Sequence, residues 1–216
     1  VAELAQQERA KETRRKLLLA AAEVFAEQGF SNATLSEIHT RAGMTKGALY
    51  FHFASKEEMA AAVVGQEADW YEEVDQQGPA VQSVIDLTHG YARALIHDVR
   101  IRATARLTLE ETYGASDGAE YRAWAAMIAE LLGEAKKSGD VRPEVDPVAM
   151  GEFVVGSFLG TQILSQVLSG RSDLEGRVTA LWQALLPGLV VPHRLARFAP
   201  GGSARVWEAE EVAPGA

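Results

Sequence analysis

The chain has 216 residues, 47% of them hydrophobic, a formal charge of −9 and no cysteine. A core of ordinary size is therefore possible, while disulfides, thiolate metal sites and cysteine nucleophiles are excluded. The acidic balance argues against a nucleic-acid partner only until it is divided along the chain. Residues 1–56 carry eight Lys+Arg against six Asp+Glu, a net of +2, and residues 57–216 carry thirteen against twenty-four, a net of −11. The basic residues of the first part are bunched at Arg9, Lys11, Arg14, Arg15 and Lys16, followed by Lys46 and Lys56. Alone, such a bunch is an ordinary solvated helix face. The polar start has no signal-type apolar segment, and Ser157, Gln162, Ser165 and Gln166 interrupt the longest apolar stretch, Phe153 to Leu168. The expectation is a soluble, cytoplasmic protein with no membrane partner.

The hydrophobic pattern is helical throughout, and the predicted fold is all-α. Leu18, Ala21, Ala22 and Phe25 form one stripe on a first helix that Gly29 ends. Thr34 with Glu37 reads as a capping box for a second helix, which runs to about Arg41 and stops at Gly43. Thr45 caps a short third helix through about Phe51, and Ser55 with Glu58 opens a fourth that Gly78-Pro79 ends. Five more helices are predicted at about 80–97, 99–113, 118–138, 147–169 and 172–191, with the residues from Pro200 onward frayed.

Two short helices joined by a turn at Gly43 and packed on a longer first helix make a helix-turn-helix pattern, with Leu35, Ile38 and Leu49 spaced to share a small core. The third helix reads T-K-G-A-L-Y-F-H-F from Thr45 to Phe53. Gly47 and Ala48 are small enough to let a backbone approach a duplex, and Lys46 puts a charged donor at the end from which such helices reach base edges. Thr45, Tyr50 and His52 can donate to phosphates, and Lys56 stands at the next helix N-terminus. Singly, Thr34 and Thr45 read as caps, Tyr50 and His52 as half-buried helix ends, and Lys56 as a surface lysine. Their order and spacing together point to DNA.

The run K-L-L-L-A-A-A-E-V-F-A-E-Q-G-F, then T-L-S-E-I, then A-G-M-T-K-G-A-L-Y-F-H-F-A-S-K-E resembles the tetracycline-repressor family over about residues 9–60. The resemblance implies DNA contacts at Thr34, Thr45, Lys46, Gly47, Tyr50, His52 and Lys56. It also implies a homodimer on a pseudo-palindromic operator, released by a small ligand. Three later segments resemble the γ-butyrolactone autoregulator receptors of that family: L-T-H-G-Y-A-R-A-L-I-H-D, R-A-T-A-R-L-T-L-E and F-L-G-T-Q, together with the Y-R-A-W run that ends at Trp124. Such receptors repress antibiotic and differentiation genes until a lactone, butenolide or furan signal accumulates.

That resemblance implies that Trp124 lines the ligand pocket; without it, a plain core tryptophan is the simpler reading. Thr161, Gln162 and Gln66 are candidate polar partners for a lactone. Gly156 and Gly160 share a helix face suited to close approach, and Leu164, Leu168, Leu181, Leu185 and Leu186 would add apolar area to a dimer interface. The expected organisation is a DNA-binding domain at 1–54, a ligand-binding and dimerisation domain at 55–200 and a flexible tail at 201–216. No cofactor or metal is expected. The rival readings are a multidrug-sensing repressor of an efflux pump and a small all-α enzyme. The enzyme reading lacks every common nucleotide, nucleophile-elbow or zinc signature, and Glu110-Glu111 reads as a solvated helix edge.

Overall fold

The computed structural model describes residues 2–65, 78–110 and 118–204. Its helices are α1 (Ala2–Asn32), α2 (Leu35–Arg41), α3 (Lys46–His52), α4 (Lys56–Val64), α5 (Ala80–His97), α6 (Val99–Leu109), α7 (Ala119–Lys137), α8 (Pro147–Ser169) and α9 (Leu174–Leu189), followed by a 3₁₀ helix at Pro192–Arg197. Among the described residues the sole β feature is an isolated antiparallel bridge between Val141 and Val190. The all-α expectation holds.

The predicted caps explain where the short helices start. The hydroxyl of Thr34 accepts from Glu37 N at 3.2 Å, that of Thr45 from Ala48 N at 3.2 Å and that of Ser55 from Glu58 N at 3.1 Å. Each satisfies an amide that a helix N-terminus leaves without an intrahelical partner. The first box is only half made: the Glu37 carboxylate binds Gln28 and Arg41, tying α2 to α1 instead of closing back on its own cap.

The chain divides into two compact units, Val1–Glu73 with His97–Asp117, and Val74–Ile96 with Gly118–Ala216. The first does not stop at residue 54. Met59, Ala60 and Val63 of α4 and Ala103 and Leu107 of α6 are buried in one cluster with Leu17, Leu18, Ala21, Phe25, Ile38 and Leu49. That shared core makes the packing unit larger than the expected DNA-binding segment.

The C-terminal turn of α1 is tied to α4 and α6 by side chains. Regular helix breaks at Gly29, whose φ of 75° is the left-handed region, and a Cβ there would collide with the Glu110 carboxylate. Glu110 accepts from Phe30 N at 2.6 Å and pairs with Arg106 at 3.1 Å. Arg106 in turn donates to the Ala26 and Glu27 carbonyls at 3.1 and 3.0 Å. Glu110 is therefore a clasp rather than the solvated edge expected of it; Glu111 lies outside the described residues.

The second unit is centred on α5, which buries Val81, Val84, Ile85, Leu87, Ala92 and Leu95. Trp182 of α9 is fully buried, and its indole donates to Thr88 Oγ1 at 2.7 Å, which removes the penalty of an unmade buried hydrogen bond. The segment after the 3₁₀ helix is strapped along α5: Gln82 Oε1 accepts from Ala199 N at 2.8 Å, Asp86 accepts from Ser203 N and Oγ at 2.8 and 2.7 Å, and His89 Nε2 donates to Pro200 O at 3.0 Å. The expected flexible tail thus does not begin at 201; residues beyond 204 lie outside the described residues. Within the 3₁₀ helix itself, Arg194 and Arg197 bind Asp140, both at 2.8 Å. Burial alone would raise the Asp140 carboxyl, but hydrogen bonds from Arg194 and Ser138 and the arginine charges bring it below the usual range.

Gly151, not Gly156 or Gly160, makes the close helix approach inside the chain. It is buried, and a Cβ there would meet Ala125 O of α7 at 2.5 Å, whereas nothing lies within 4 Å at the other two. Leu186 also departs from expectation: it is a core residue rather than an interface one. The rest of α8 presents apolar side chains outward, with Phe153, Leu164, Val167 and Leu168 exposed by 49 to 74%. By length and composition α8 is enough to cross a bilayer; the same composition suits a helix covered by another protein chain.

Two measurements test this fold. Glu110→Ala leaves the Phe30 amide and Arg106 without their acceptor and is expected to cost about 1–3 kcal/mol in urea unfolding. Burial holds the His89 imidazole below its ordinary 6.5, against the raising influence of Pro200 O, Asp86 and Glu175. A lowered native pKa means that the neutral ring is the form that folds. Its contribution is complete above pH 6.5 and is lost as pH falls through the lowered native value. The urea midpoint of wild type is expected to drop over that window, with a shallower drop in His89→Gln.

Candidate functional site

Within the first unit, α2 and α3 are held by Ile38, Leu49 and Phe53, each at most 1% exposed. The turn between them is closed by Gly43, at φ 66°, and by His39 Nδ1, which lies 3.1 Å from Met44 O. These contacts consume one side of α3 and leave the other to solvent. Thr34, Thr45, Lys46, Gly47 and Tyr50 are exposed, and His52 is half-buried with its ring edge-on to Phe51 at 5.1 Å. Lys46 Nζ lies 5.8 Å from the centre of the Tyr50 ring. A Cβ on Gly47 would meet only Thr45 Oγ1, at 4.0 Å, so internal packing does not require glycine there. The open space faces outward, where a close partner would use it.

Lys56 is the exception among the expected contacts. Its ammonium donates to Phe30 O at 2.7 Å and Ala33 O at 2.9 Å and lies 4.3 Å from the Phe30 ring centre. Two of its three donors are spent on carbonyls left bare where α1 ends, so it fastens α4 to α1 rather than standing free for a phosphate. Sequence reasoning also missed Phe51, the most exposed large apolar side chain among the described residues, at 80%. A helix-period reading places it opposite the buried Leu49 face, which is the signal that could have found it.

In the second unit, Trp124 of α7 is half-buried and meets Tyr91 of α5 edge-on at 5.3 Å; Tyr91 in turn lies 5.8 Å from Phe158 of α8. Three helices thus contribute one aromatic each to a single cluster, and offset or edge contacts of this kind add to simple burial. Tyr91 and Phe158 were not singled out in the sequence, although they stand in the segments L-T-H-G-Y and F-L-G-T-Q.

Two of the expected polar partners spend their side-chain oxygens on bonds within the chain. Thr161 Oγ1 donates to Ser157 O of its own helix at 2.7 Å, and Gln162 is buried with its Oε1 accepting from Arg171 at 3.1 Å. Gln66 lies outside the described residues. A separate groove of about 760 Å³ runs between α7 and α8, lined by residues that include Tyr121, Ala125, Ala129, Val155 and Leu159. It opens on the exposed face of α8 and is not lined by Trp124. Among the described residues no cluster of His, Asp and Glu could hold a metal.

An all-α chain with a capped, exposed α3 in one unit and an aromatic cluster in the other has the two parts of a helix-turn-helix regulator. Residues 17–63 match the family described as bacterial regulatory proteins, tetR family, and residues 79–192 match the tetracyclin repressor-like C-terminal domain. The chain is 38% identical over 199 residues to the A-factor receptor protein of Streptomyces griseus, covering 92% of this chain and 71% of that protein. A crystal structure of a gamma-butyrolactone receptor, an ArpA-like protein, superposes with TM-score 0.79 at 29% identity, covering 93% of this chain and 99% of the other. The TetR family protein CprB of Streptomyces coelicolor A3(2), solved with its biological operator sequence, does so with TM-score 0.76 at 30% identity, covering 93% and 99%. The chain belongs to the tetracycline-repressor family and is a DNA-binding, ligand-responsive regulator, not an enzyme.

Lys46→Ala is expected to weaken binding to the DNA upstream of the protein's own gene, with ligand affinity and oligomeric state unchanged. Gel shifts and sedimentation check this; unaltered DNA affinity would remove α3 as the recognition helix.

Proposed function

We propose that this protein represses transcription from a pseudo-palindromic operator as a homodimer and is released when a γ-butyrolactone, or a related butenolide or furan, enters the aromatic cluster of the second unit. The observation that carries the reading is the convergence of Trp124, Tyr91 and Phe158 from three helices. It is supported by the likeness to the A-factor receptor and the gamma-butyrolactone receptor along nearly the whole chain. A lactone needs apolar walls for its alkyl chain and a few donors for its ring oxygens; the Trp124 indole N–H and the Tyr91 hydroxyl are donors of that kind. The same kinship supports control of antibiotic production and action in the cytoplasm.

In this reading residues 1–54 contact DNA and 55–200 bind ligand and dimerise. The exposed apolar face of α8, with Gly156 and Gly160 open on it, is covered by the same helix of a second copy. Two recognition helices then enter major grooves about 34 Å apart, or a multiple of that. Ligand acts through α5, which carries Tyr91 and leads through Asp98 alone into α6, the helix whose Arg106 and Glu110 clasp the end of α1. Coupling of this kind is typically about 1–3 kcal/mol, and nearly complete switching takes about 5.5 kcal/mol.

The test is a gel shift on the DNA upstream of the protein's own gene, with and without a synthetic γ-butyrolactone. Wild type is expected to bind and to let go on addition of lactone, whereas Trp124→Ala binds and stays bound. Normal release by that variant would refute the aromatic cluster as the sensor.

A further inference from the structure

We infer that Arg14, on α1, is a second phosphate-binding cation of the DNA surface, held at the C-terminal end of the recognition helix as Lys46 is held at the N-terminal end. This rests on the reading of α3 as the helix that enters DNA. The first 56 residues contain eight Lys and Arg, and most are already engaged. Lys11 pairs with Glu8, Arg15 and Lys16 with Glu12, and Arg41 with Glu23, Glu27 and Glu37. Lys56 is spent on the end of α1. Among the described residues, Arg9, Arg14 and Lys46 have no carboxylate partner.

Arg14 and Lys46 share a further property. Each rests on an aromatic ring of α3 or its cap: Lys46 Nζ is 5.8 Å from the centre of Tyr50, and Arg14 Cζ is 5.0 Å from the centre of Phe53. A ring face orders a cation without neutralising it, so the charge stays available to an anion. The position of Arg14 follows from the helix period. It stands three, four, seven and eleven residues before Leu17, Leu18, Ala21 and Phe25, the buried stripe of α1, and so emerges at the edge of the core. Phe53, only 1% exposed, is the residue at that edge and caps α3.

Seven residues separate Lys46 from Phe53, about 10 Å of helix axis, against a major groove about 12 Å wide. Two unneutralised cations at the ends of a helix of that length are spaced to meet phosphates on either side of the groove. A contact to phosphate carries no sequence information, so Arg14 would set affinity and register alike on any duplex.

Binding is measured against salt concentration for wild type, Arg14→Met and Arg14→Lys, on the duplex upstream of the protein's own gene and on a scrambled duplex of equal length. Methionine keeps an apolar cover on Phe53, and urea unfolding checks that the variant folds. Arg14→Met is expected to weaken both complexes by the same factor and to reduce the slope of log K against log salt by about 0.9 per contact, about 1.8 for a dimer. Arg14→Lys retains the slope. A folded Arg14→Met with the wild-type slope overturns the proposal, leaving Arg14 as a cover for Phe53. Wild type that binds neither duplex overturns the DNA reading itself, and this inference with it.

Discussion

The first unit depends on how the end of α1 is satisfied. A helix that stops against a packed core leaves carbonyls and amides partly shielded from water, and each unmade bond there is costly. Here α6 supplies Arg106 to the Ala26 and Glu27 carbonyls and Glu110 to the Phe30 amide, while α4 supplies Lys56 to the Phe30 and Ala33 carbonyls. Gly29 admits the carboxylate because it has no side chain to exclude it. The same turn leads directly into α2. The placement of α2, and of α3 packed with it, is therefore referred, through one short stretch of backbone, to α4 and α6 together.

If α3 enters DNA as proposed, the same arrangement leaves few of its side chains free for that contact. Leu49 and Phe53 are committed to the core, Thr45 to capping, and Tyr50 and Phe53 each carry a cation. What remains outward is small or flat. On the proposed reading, phosphate contacts then supply most of the affinity.

The second unit solves a different problem. Gly151 brings α8 into backbone contact with α7, and Trp182 with Thr88 closes the interior of α5 and α9. At the C-terminal end of α8, the hydroxyls of Ser165 and Ser169, with Arg177, lower the Asp173 carboxyl to about 2, so this junction keeps its charge well into acid. With the inner face of α8 so committed, its remaining apolar residues face outward, as a helix completed by a second chain requires.

Much of this was legible along the chain, because helix periods and caps act over three or four residues. The starts of α2, α3 and α4 at Thr34, Thr45 and Ser55, the outward face of Lys46 and Tyr50 and the extent of α8 all follow from local pattern. What local pattern could not decide is where a side chain goes when its partner is distant. Lys56 lies 26 residues from the Phe30 carbonyl it serves, Glu110 lies 80 from the Phe30 amide, and Gln162 accepts from Arg171 beyond the end of its own helix. Nor could it say that, of the glycines on α8, Gly151 is the one pressed against a neighbour. Such choices depend on which backbone groups are left unsatisfied, or approach most closely, once the helices have packed, and that is decided only in three dimensions.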